Sequence, residues 1–277
     1  ADDIALCSRT LTGAKVLNEL AVRDSCNQRY SYSSSKSKVM IANPNTVSKT
    51  QLEMFPIHLL EEELNQTENE VHLGLHRNPK DKASQTIKAK ITCCRRATNA
   101  MMCAGLHGFN GLIPSVSLKL IDSYIIPILL HWLDAIIVTD GEVSELETYY
   151  RNLLKHIQHL PANTANEAVY LILGALPIEG LLDLRILSLF NRIALQDASK
   201  EWEILRRQLA MKDMSSNSWA VYVRKILWKY NLPSAFEIFQ NPLTKSEWQV
   251  HIKSEVQAFW ERKLKEGSKD KLQMRTP

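Results

Sequence analysis

Residues 87–98 read IKAKITCCRRAT, and this stretch sets the helical pattern that most of the chain follows. Four residues recur every three or four positions and predict one buried face of an α-helix with basic side chains around it: Ile87, Ile91, Cys94 and Thr98. The same period returns downstream in two larger sets: Leu118, Ile121, Ile125, Ile128 and Leu129, then Val143, Leu146, Tyr149, Tyr150, Leu153 and Ile157. The chain is therefore predicted to be mainly α-helical from about Asn78 onward.

The helical pattern continues to the C-terminal region. Helices are predicted at about 165–173, 178–194, 200–210 and 218–230. The last helix is introduced by residues 244–247, Thr-Lys-Ser-Glu, a capping box in which the Thr and Glu side chains satisfy each other's free backbone N–H groups. Four tryptophans are interpreted as core anchors, with base stacking as the alternative: Trp219, Trp228, Trp248 and Trp260.

Residues 123–138, SYIIPILLHWLDAIIV, resemble a membrane span in composition. The run is shorter than the roughly 20 apolar residues that a helix needs to cross a bilayer, and it contains Pro127, His131 and Asp134. A buried helix pair, kinked or broken near Pro127, is the better interpretation. The sequence thus predicts no membrane partner.

The N-terminal part has a mixed pattern. Asp2 and Asp3 are predicted to form a hairpin tip followed by a strand at Ile4 to Cys7, then a helix at 10–27 and a strand at 39–41. Residues 43–70 are predicted to be an acidic surface loop, although 54–60 could pair as a strand, and 71–75 a strand or turn. The expected fold class is α+β at the N-terminus, then mainly α-helical. The expected domains are 1–75, 76–160 and 161–277.

Charge is segregated along a chain of 277 residues whose net charge is only +4. Between Gln51 and Val71 there are six Glu and no Lys or Arg. The segment from Arg77 to Gly108 has seven basic residues and one acid, Asp81; the six basic residues that follow Arg77 are Lys80, Lys82, Lys88, Lys90, Arg95 and Arg96. Such a segment suits a phosphate backbone, and a plain solvated helix face is the alternative.

The five cysteines favour reduced thiols in an intracellular protein. Their number is odd, no Cys-x-x-Cys pair is present, and no zinc-ligand spacing occurs: Cys7, Cys26, Cys93, Cys94 and Cys103. The adjacent pair Cys93 and Cys94 is expected to pack within a helix. The sequence does not decide between a nuclear and a cytoplasmic location for the protein.

Four short elements occur in the order found in one family of polymerases. They are the turn Ala1-Asp2-Asp3-Ile4, the helix at 10–27, the segment Lys36-Ser37-Lys38-Val39-Met40, and the turn His72-Leu73-Gly74-Leu75. In this order they resemble the palm and the start of the thumb of a non-LTR (LINE-type) retrotransposon reverse transcriptase. By this resemblance residues 1–75 are part of a palm, 76–160 a thumb-like region, and 161–277 a C-terminal helical region.

The chain also departs from the family pattern. Ser33 stands where the family usually has Asn, and the usual Gly ahead of it is absent. The first catalytic Asp of the family lies on an earlier palm strand that these 277 residues do not contain. With the missing initiator Met, this suggests a chain cut inside a domain. The fragment by itself is therefore expected to be inactive.

The resemblance implies a role for each matching residue. Asp2 and Asp3, Asp2 above all, would bind Mg²⁺ in half of a two-metal site, and Lys36 would act near the departing pyrophosphate, with Lys38 as the alternative. Leu73 and Gly74 would hold the primer end. The basic residues after Arg77 would contact an RNA template and DNA primer, and the intact parent would use dNTPs. A non-catalytic nucleic-acid-binding remnant of a decayed element is the other hypothesis, ahead of an unrelated protein-interaction domain.

Overall fold

The computed structural model describes residues 4–44, 46–79 and 83–269. By its internal contacts the chain divides into two compact units, residues 1–86 and 87–277. It is mostly helical with a minor sheet portion, as the sequence predicted in coarse terms. Helices on both sides of residue 160 belong to the second unit, and the expected division into three domains stays a prediction.

The first unit combines helices with very short strands. Its helices are α1 (Leu11–Asn27) and α2 (Thr46–Met54), with a 3₁₀ turn at Ser34–Lys36 between them. The strands in its described part are β1 (Lys38–Val39), β2 (His58–Leu59), β3 (Glu62–Glu63), β4 (Asn65–Gln66), β5 (Glu70–His72) and β6 (Leu75–Arg77). They form three separate two-stranded sheets: β1 with β4, β2 with β3, and β5 with β6.

Helix α1 confirms the prediction at 10–27. Thr10 is its N-cap, and the Thr10 Oγ1 atom accepts a hydrogen bond of 3.0 Å from the N–H of Gly13, which satisfies one of the free donors of the first turn. The Asn18 side chain donates to the carbonyl oxygen of His58 at 2.7 Å, and this bond ties α1 to β2.

The predicted strand at Ile4 to Cys7 is wrong. These residues adopt no regular structure, and Ile4 and Leu6 are about half exposed. Strand β1, which the sequence placed slightly later at 39–41, pairs in parallel with β4 rather than with residues 4–7. An apolar run without a described partner strand has no ladder of hydrogen bonds to hold it extended.

The prediction of an acidic loop at 43–70 is also wrong in part. Its first half forms α2, and the Glu-rich half contains β2, β3 and β4. The antiparallel pairing of β2 with β3 buries Leu59 and leaves Glu62 and Glu63 exposed. Strand β2 lies within 54–60, where the sequence allowed a strand, whereas β3 and β4 are two residues long and show no periodicity that could be read from the sequence.

The second unit is a set of packed helices, and α3 (Ser84–Met102) begins just before it. Those that follow are α4 (Pro114–Leu120), α5 (Ile126–Leu129), α6 (Asp140–Ile157), α7 (Asn166–Leu173), α8 (Ile178–Ala194), α9 (Lys200–Met211), α10 (Trp219–Lys229), α11 (Ala235–Gln240) and α12 (Lys245–Lys269). Most bounds match the prediction within two residues, while α11 was missed.

Helix α8 lies at the centre of this unit and packs on α6, α9, α10, α11 and α12. The indole of Trp248 is buried against it and donates from Nε1 to the carbonyl oxygen of Leu187 at 2.9 Å. Trp260 is also buried, which confirms the prediction for these two tryptophans. Trp219 is partly buried and donates to the Asp134 carbonyl oxygen at 2.8 Å, but Trp228 is 84% exposed and is no core anchor.

The apolar stretch at 123–138 is a broken helical segment. A π-helical turn at Ile121–Ile125 joins α4 to α5, and Pro127 follows it directly as the second residue of α5, where a residue without an N–H cannot donate a helical hydrogen bond. Helix α5 ends at Leu129, so the break lies close to the predicted proline. Within the described ranges, no helix is both long and apolar enough to cross a membrane.

Candidate nucleic-acid interface

Helix α3 presents one exposed polar face. Lys88, Thr92, Arg95, Arg96 and Asn99 are all exposed, and after Lys88 they follow at four, seven, eight and eleven residues. This spacing places them along one side of the helix. Lys88 and Arg95 are two turns apart, or about 10 Å along the axis. The face is therefore long enough to meet several phosphates of one strand.

The cations of this face have no acidic partner among the described residues. The ion pairs of the described chain involve other cations, namely Lys49, Arg206, Lys229 and Lys265. Helix α3 itself contains no Asp or Glu. Lys88, Arg95 and Arg96 thus project positive charge into solvent, where an external anion can meet it.

Lys90 differs from the other predicted contact residues. Its side chain is only 7% exposed, and burial lowers the pKa of its ammonium group. The reason is helical geometry: Lys90 follows Ile87 by three residues and therefore lies on the apolar side of α3. It does not contribute to the exposed cationic face. Lys80 and Lys82 lie outside the described residues.

The opposite face of α3 anchors the helix within the second unit. Ile87, Ile91, Cys94 and Thr98 are buried, as the sequence predicted. The Cys94 thiol donates a weak hydrogen bond of 3.6 Å to the carbonyl oxygen of Ile125, and burial raises the pKa of this thiol to about 12. Thr98 Oγ1 lies 3.2 Å from the Tyr149 hydroxyl. These contacts fix which side of α3 faces solvent.

The predicted primer-holding turn is a tight hairpin. Strands β5 and β6 are joined by Leu73 and Gly74, both with positive φ, 50° and 77°. Two consecutive positive φ values define a turn whose twist matches antiparallel strands, and Gly adopts such a φ without strain. Leu73 is half exposed at the tip, while Leu75 is buried. The His76 N–H donates to Thr86 Oγ1 at 2.8 Å, which holds the base of the hairpin.

Lys36 lies at the end of the 3₁₀ turn, and its side chain is exposed. The Ser37 N–H donates to the Ser33 carbonyl oxygen at 3.0 Å, and the Ser34 hydroxyl donates to the Glu62 carboxylate. Lys38, the alternative, is also exposed at the start of β1. Lys36 and the hairpin belong to the same unit, but β1 and β5 are in different sheets.

The predicted magnesium ligands Asp2 and Asp3 lie outside the described residues. Within the part of the chain that the structure describes, no group of three or more His, Cys, Asp or Glu side chains could hold a metal ion. Mg²⁺ binding at Asp2 and Asp3 therefore stays a prediction from the sequence.

Comparison of the chain with protein-family models, with curated proteins and with solved structures found no match in any of the three. A functional assignment therefore depends on the chemistry of the residues themselves.

Two features of the exposed surface were not identified from the sequence. Thr92 and Asn99 extend the exposed face of α3, and their spacing from Lys88 and Arg95 would have identified them. The second feature is an exposed aromatic and basic surface on α10 and α11, where Trp228 was assigned to the core. Helical spacing could not have found this feature, because Trp228 follows the buried Val221 by seven residues and shares its side of α10; only its 84% exposure in the structure reveals it.

Proposed function

We propose that this chain is part of an RNA-directed DNA polymerase of the non-LTR retrotransposon type. The order of the four short elements supports the assignment, as does the positive-φ Leu73-Gly74 turn at the position that the resemblance assigns to the primer end. The observation that carries the proposal is the exposed cationic face of α3, which follows this turn along the chain and has no acidic partner among the described residues.

In this proposal each element contributes one step of nucleotide transfer. Asp2 and Asp3 would hold magnesium, which when bound activates the attacking primer hydroxyl and stabilises the leaving pyrophosphate. Lys36 would neutralise charge on the pyrophosphate or give it a proton. The Leu73-Gly74 turn would position the primer end. The α3 face would hold the template–primer duplex through its phosphates, without reading sequence.

The salt dependence of binding tests the role of α3. We would measure binding of the 277-residue chain to a labelled template–primer duplex between low and moderate salt. Each lost phosphate contact reduces the slope of log K against log salt by about 0.9 for B-form DNA. The triple substitution Lys88→Gln, Arg95→Gln and Arg96→Gln should therefore reduce the slope by up to about 2.7.

A charge-matched variant provides the control for this experiment. Lys245, Lys253 and Arg262 are exposed on α12, and their replacement by Gln removes the same number of charges. We expect the control to keep most of the slope. Equal slopes for the wild type and the α3 variant, or equal losses in both variants, would rule out a specific role for the α3 face.

Primer extension tests catalysis separately. With Mg²⁺, a template–primer and dNTPs, we expect the isolated chain to give no product, because Asp2 and Asp3 supply only one part of the carboxylate set that the resemblance implies. Product that disappears with Asp2→Ala would contradict this expectation and would establish polymerase activity in these residues.

A non-catalytic nucleic-acid-binding remnant is the second candidate. The observation that favours it is the lack of regular structure at Ile4 to Cys7, where a palm would have a strand. The coding sequence upstream separates the two candidates. An open frame with a further catalytic Asp supports the polymerase, whereas stop codons or frameshifts support the remnant.

A further inference from the structure

Helix α10 exposes an indole ring beside two cations. Trp228 is 84% exposed, the most exposed large apolar side chain that the structure describes. Arg224 and Lys225 precede it by four and three residues and so lie one turn away on the same face. The helix contains three cations and no carboxylate. The third cation, Lys229, is held by Asp183 and Glu179, so Arg224 and Lys225 remain to meet an external anion.

A second aromatic ring, that of Phe236, lies close to Arg224. The guanidinium carbon of Arg224 is 5.9 Å from the centre of the Phe236 ring, and Nη1 donates to the carbonyl oxygen of Lys212 at 3.2 Å. Phe236, in α11, is 46% exposed. Arg224 thus has one ring beneath its guanidinium group and Trp228 one helical turn away. We call Arg224, Lys225, Trp228 and Phe236 the α10–α11 surface.

The aromatic character continues from Phe236 into a groove of about 520 Å³ between α9 and α11. Trp202 and Phe239 line it with their rings stacked, their centres 4.9 Å apart. Arg206 lies over Trp202 and is bound to Glu203 by two hydrogen bonds. The rings of Trp202 and Phe239 already cover each other, whereas Trp228 and Phe236 leave ring surface open to a partner.

The carboxylates of Glu237 and Asp213 accept hydrogen bonds from their own turns rather than from Arg224 or Lys225. Glu237 accepts from the Ser234 N–H at 2.8 Å as part of the capping box of α11. Asp213 accepts from Ser215 and Ser216, and these bonds lower the pKa of its carboxyl group. Both carboxylates stay ionised and reduce the net charge of the region, but in the described chain neither forms an ion pair with Arg224 or Lys225, whose cationic groups remain able to bind an external anion.

We propose that the α10–α11 surface binds single-stranded nucleic acid, with unpaired bases stacked on Trp228 and Phe236 and phosphates on Arg224 and Lys225. A protruding ring can stack only on a base whose face is free, which excludes the interior of a duplex. Interleaved cations match the charge of the strand between successive bases. The proposal goes beyond the polymerase assignment, because none of these residues belongs to the elements on which that assignment depends.

The test uses the full chain and a fluorescein-labelled 20-nucleotide oligothymidine, with the dissociation constant measured by anisotropy. Loss of one stacked base weakens binding by about fivefold or more, and we expect a loss of this size in Trp228→Ala. Trp228→Phe keeps an aromatic ring and should retain most of the affinity. Replacing Arg224 and Lys225 by Gln should flatten the salt dependence. Tyr124→Ala removes another exposed ring, 60% accessible against 84% for Trp228, from a different helical segment and should leave the affinity unchanged.

Three results would overturn the proposal. One is an unchanged oligothymidine affinity in Trp228→Ala. A second is a Trp228→Ala variant that loses only self-association, which would assign the ring to a protein partner. A third is a variant that loses only binding to phosphatidylserine vesicles, which would assign the ring to a lipid partner. Binding to the template–primer duplex distinguishes the α10–α11 surface from the α3 face. Trp228→Ala should keep duplex binding, whereas the α3 triple variant should lose it. Failure of the α3 prediction would leave the single-strand result intact.

Discussion

Lys229 Nζ lies 2.7 Å from Asp183 Oδ2, in the interior of the second unit. The same carboxylate oxygen accepts from the Tyr230 hydroxyl at 2.7 Å, and the Lys229 ammonium also binds Glu179. The ring centres of Tyr230 and Trp260 lie 4.9 and 5.0 Å from Nζ. Burial raises the pKa of Asp183, and Lys229 opposes this rise. The Lys229–Asp183 pair joins α8 to α10, and removal of either partner would leave the other charge buried without compensation.

Removal of one partner from this pair should destabilise the second unit strongly. Lys229→Met leaves the Asp183 carboxylate buried without its counter-charge, and we expect a loss of about 3–5 kcal/mol in the free energy of unfolding. Urea denaturation followed by circular dichroism measures it. Asp183→Asn added to Lys229→Met should recover part of the loss. In contrast, Glu261→Ala at the exposed pair with Lys265 should cost less than about 1 kcal/mol.

Glu147 should make stability depend on pH. It accepts from the Tyr170 hydroxyl and, at 2.8 Å, from the N–H of Ile178 at the start of α8. Burial raises its pKa, with these hydrogen bonds opposing the rise. The folded state therefore holds the proton more tightly than the unfolded state does. The contribution of Glu147 to stability is therefore fully present below its pKa in the unfolded chain. It is lost as pH rises through the higher pKa that Glu147 has in the folded chain.

Glu147→Gln tests this sign. The amide is neutral at all pH values and can still accept from Ile178, so the variant should lose less stability than the wild type as pH rises from about 4. Thermal unfolding at several pH values measures the difference. A steeper fall in the variant than in the wild type would contradict the prediction.

Gly180 and Gly141 form a matched pair for substitution by Ala. A Cβ atom on Gly180 would lie 2.6 Å from Trp260 Nε1, so the buried indole must move and its hydrogen bond to Tyr230 would be disturbed. We expect Gly180→Ala to cost about 1–3 kcal/mol. A Cβ on Gly141, in the first turn of α6, meets nothing within 4 Å. Gly141→Ala should stabilise by up to about 1 kcal/mol, and equal effects at both sites would refute the packing argument.

The Leu73-Gly74 turn should respond in opposite directions to two substitutions. Gly74 has a φ of 77°, so Gly74→Ala should cost about 1–2 kcal/mol of backbone strain. Leu73 already carries such strain at a φ of 50° and is exposed, so Leu73→Gly should be neutral or stabilising. Hydrogen exchange of the hairpin amides measures both. Faster exchange in Leu73→Gly than in the wild type would contradict this expectation.

Sequence reasoning succeeded where the apolar period was long. The pattern predicts a helix at 178–194, and α8 has these bounds because its buried residues recur over almost five turns. It failed for β3 and β4, which are two residues long, and it could not give the parallel pairing of β1 with β4, which joins residues far apart in sequence. Lys90 and Trp228 show a different failure. Residue type suggested a surface lysine and a core tryptophan, whereas Lys90 is buried and Trp228 is exposed. Helical spacing explains Lys90, which follows the buried Ile87 by three residues, but not Trp228, which follows the buried Val221 by seven.

The candidate site was predictable only in part. Lys88, Arg95 and Arg96 share an exposed face because their spacing follows the helical period, and charge composition was enough to identify them. The α10–α11 surface depends on the placement of Phe236 beneath Arg224, a contact between two helices that no local pattern encodes.

The packing of α12 over α7 and α8 has a consequence for the order in which the chain folds during synthesis. Trp248 meets Leu187 across a sequence separation of 61 residues, and Trp260 packs at Gly180 across a larger one. A nascent chain that has reached only α11 would still expose the apolar groove that these indoles fill. Chaperone association should therefore persist until the ribosome has released α12.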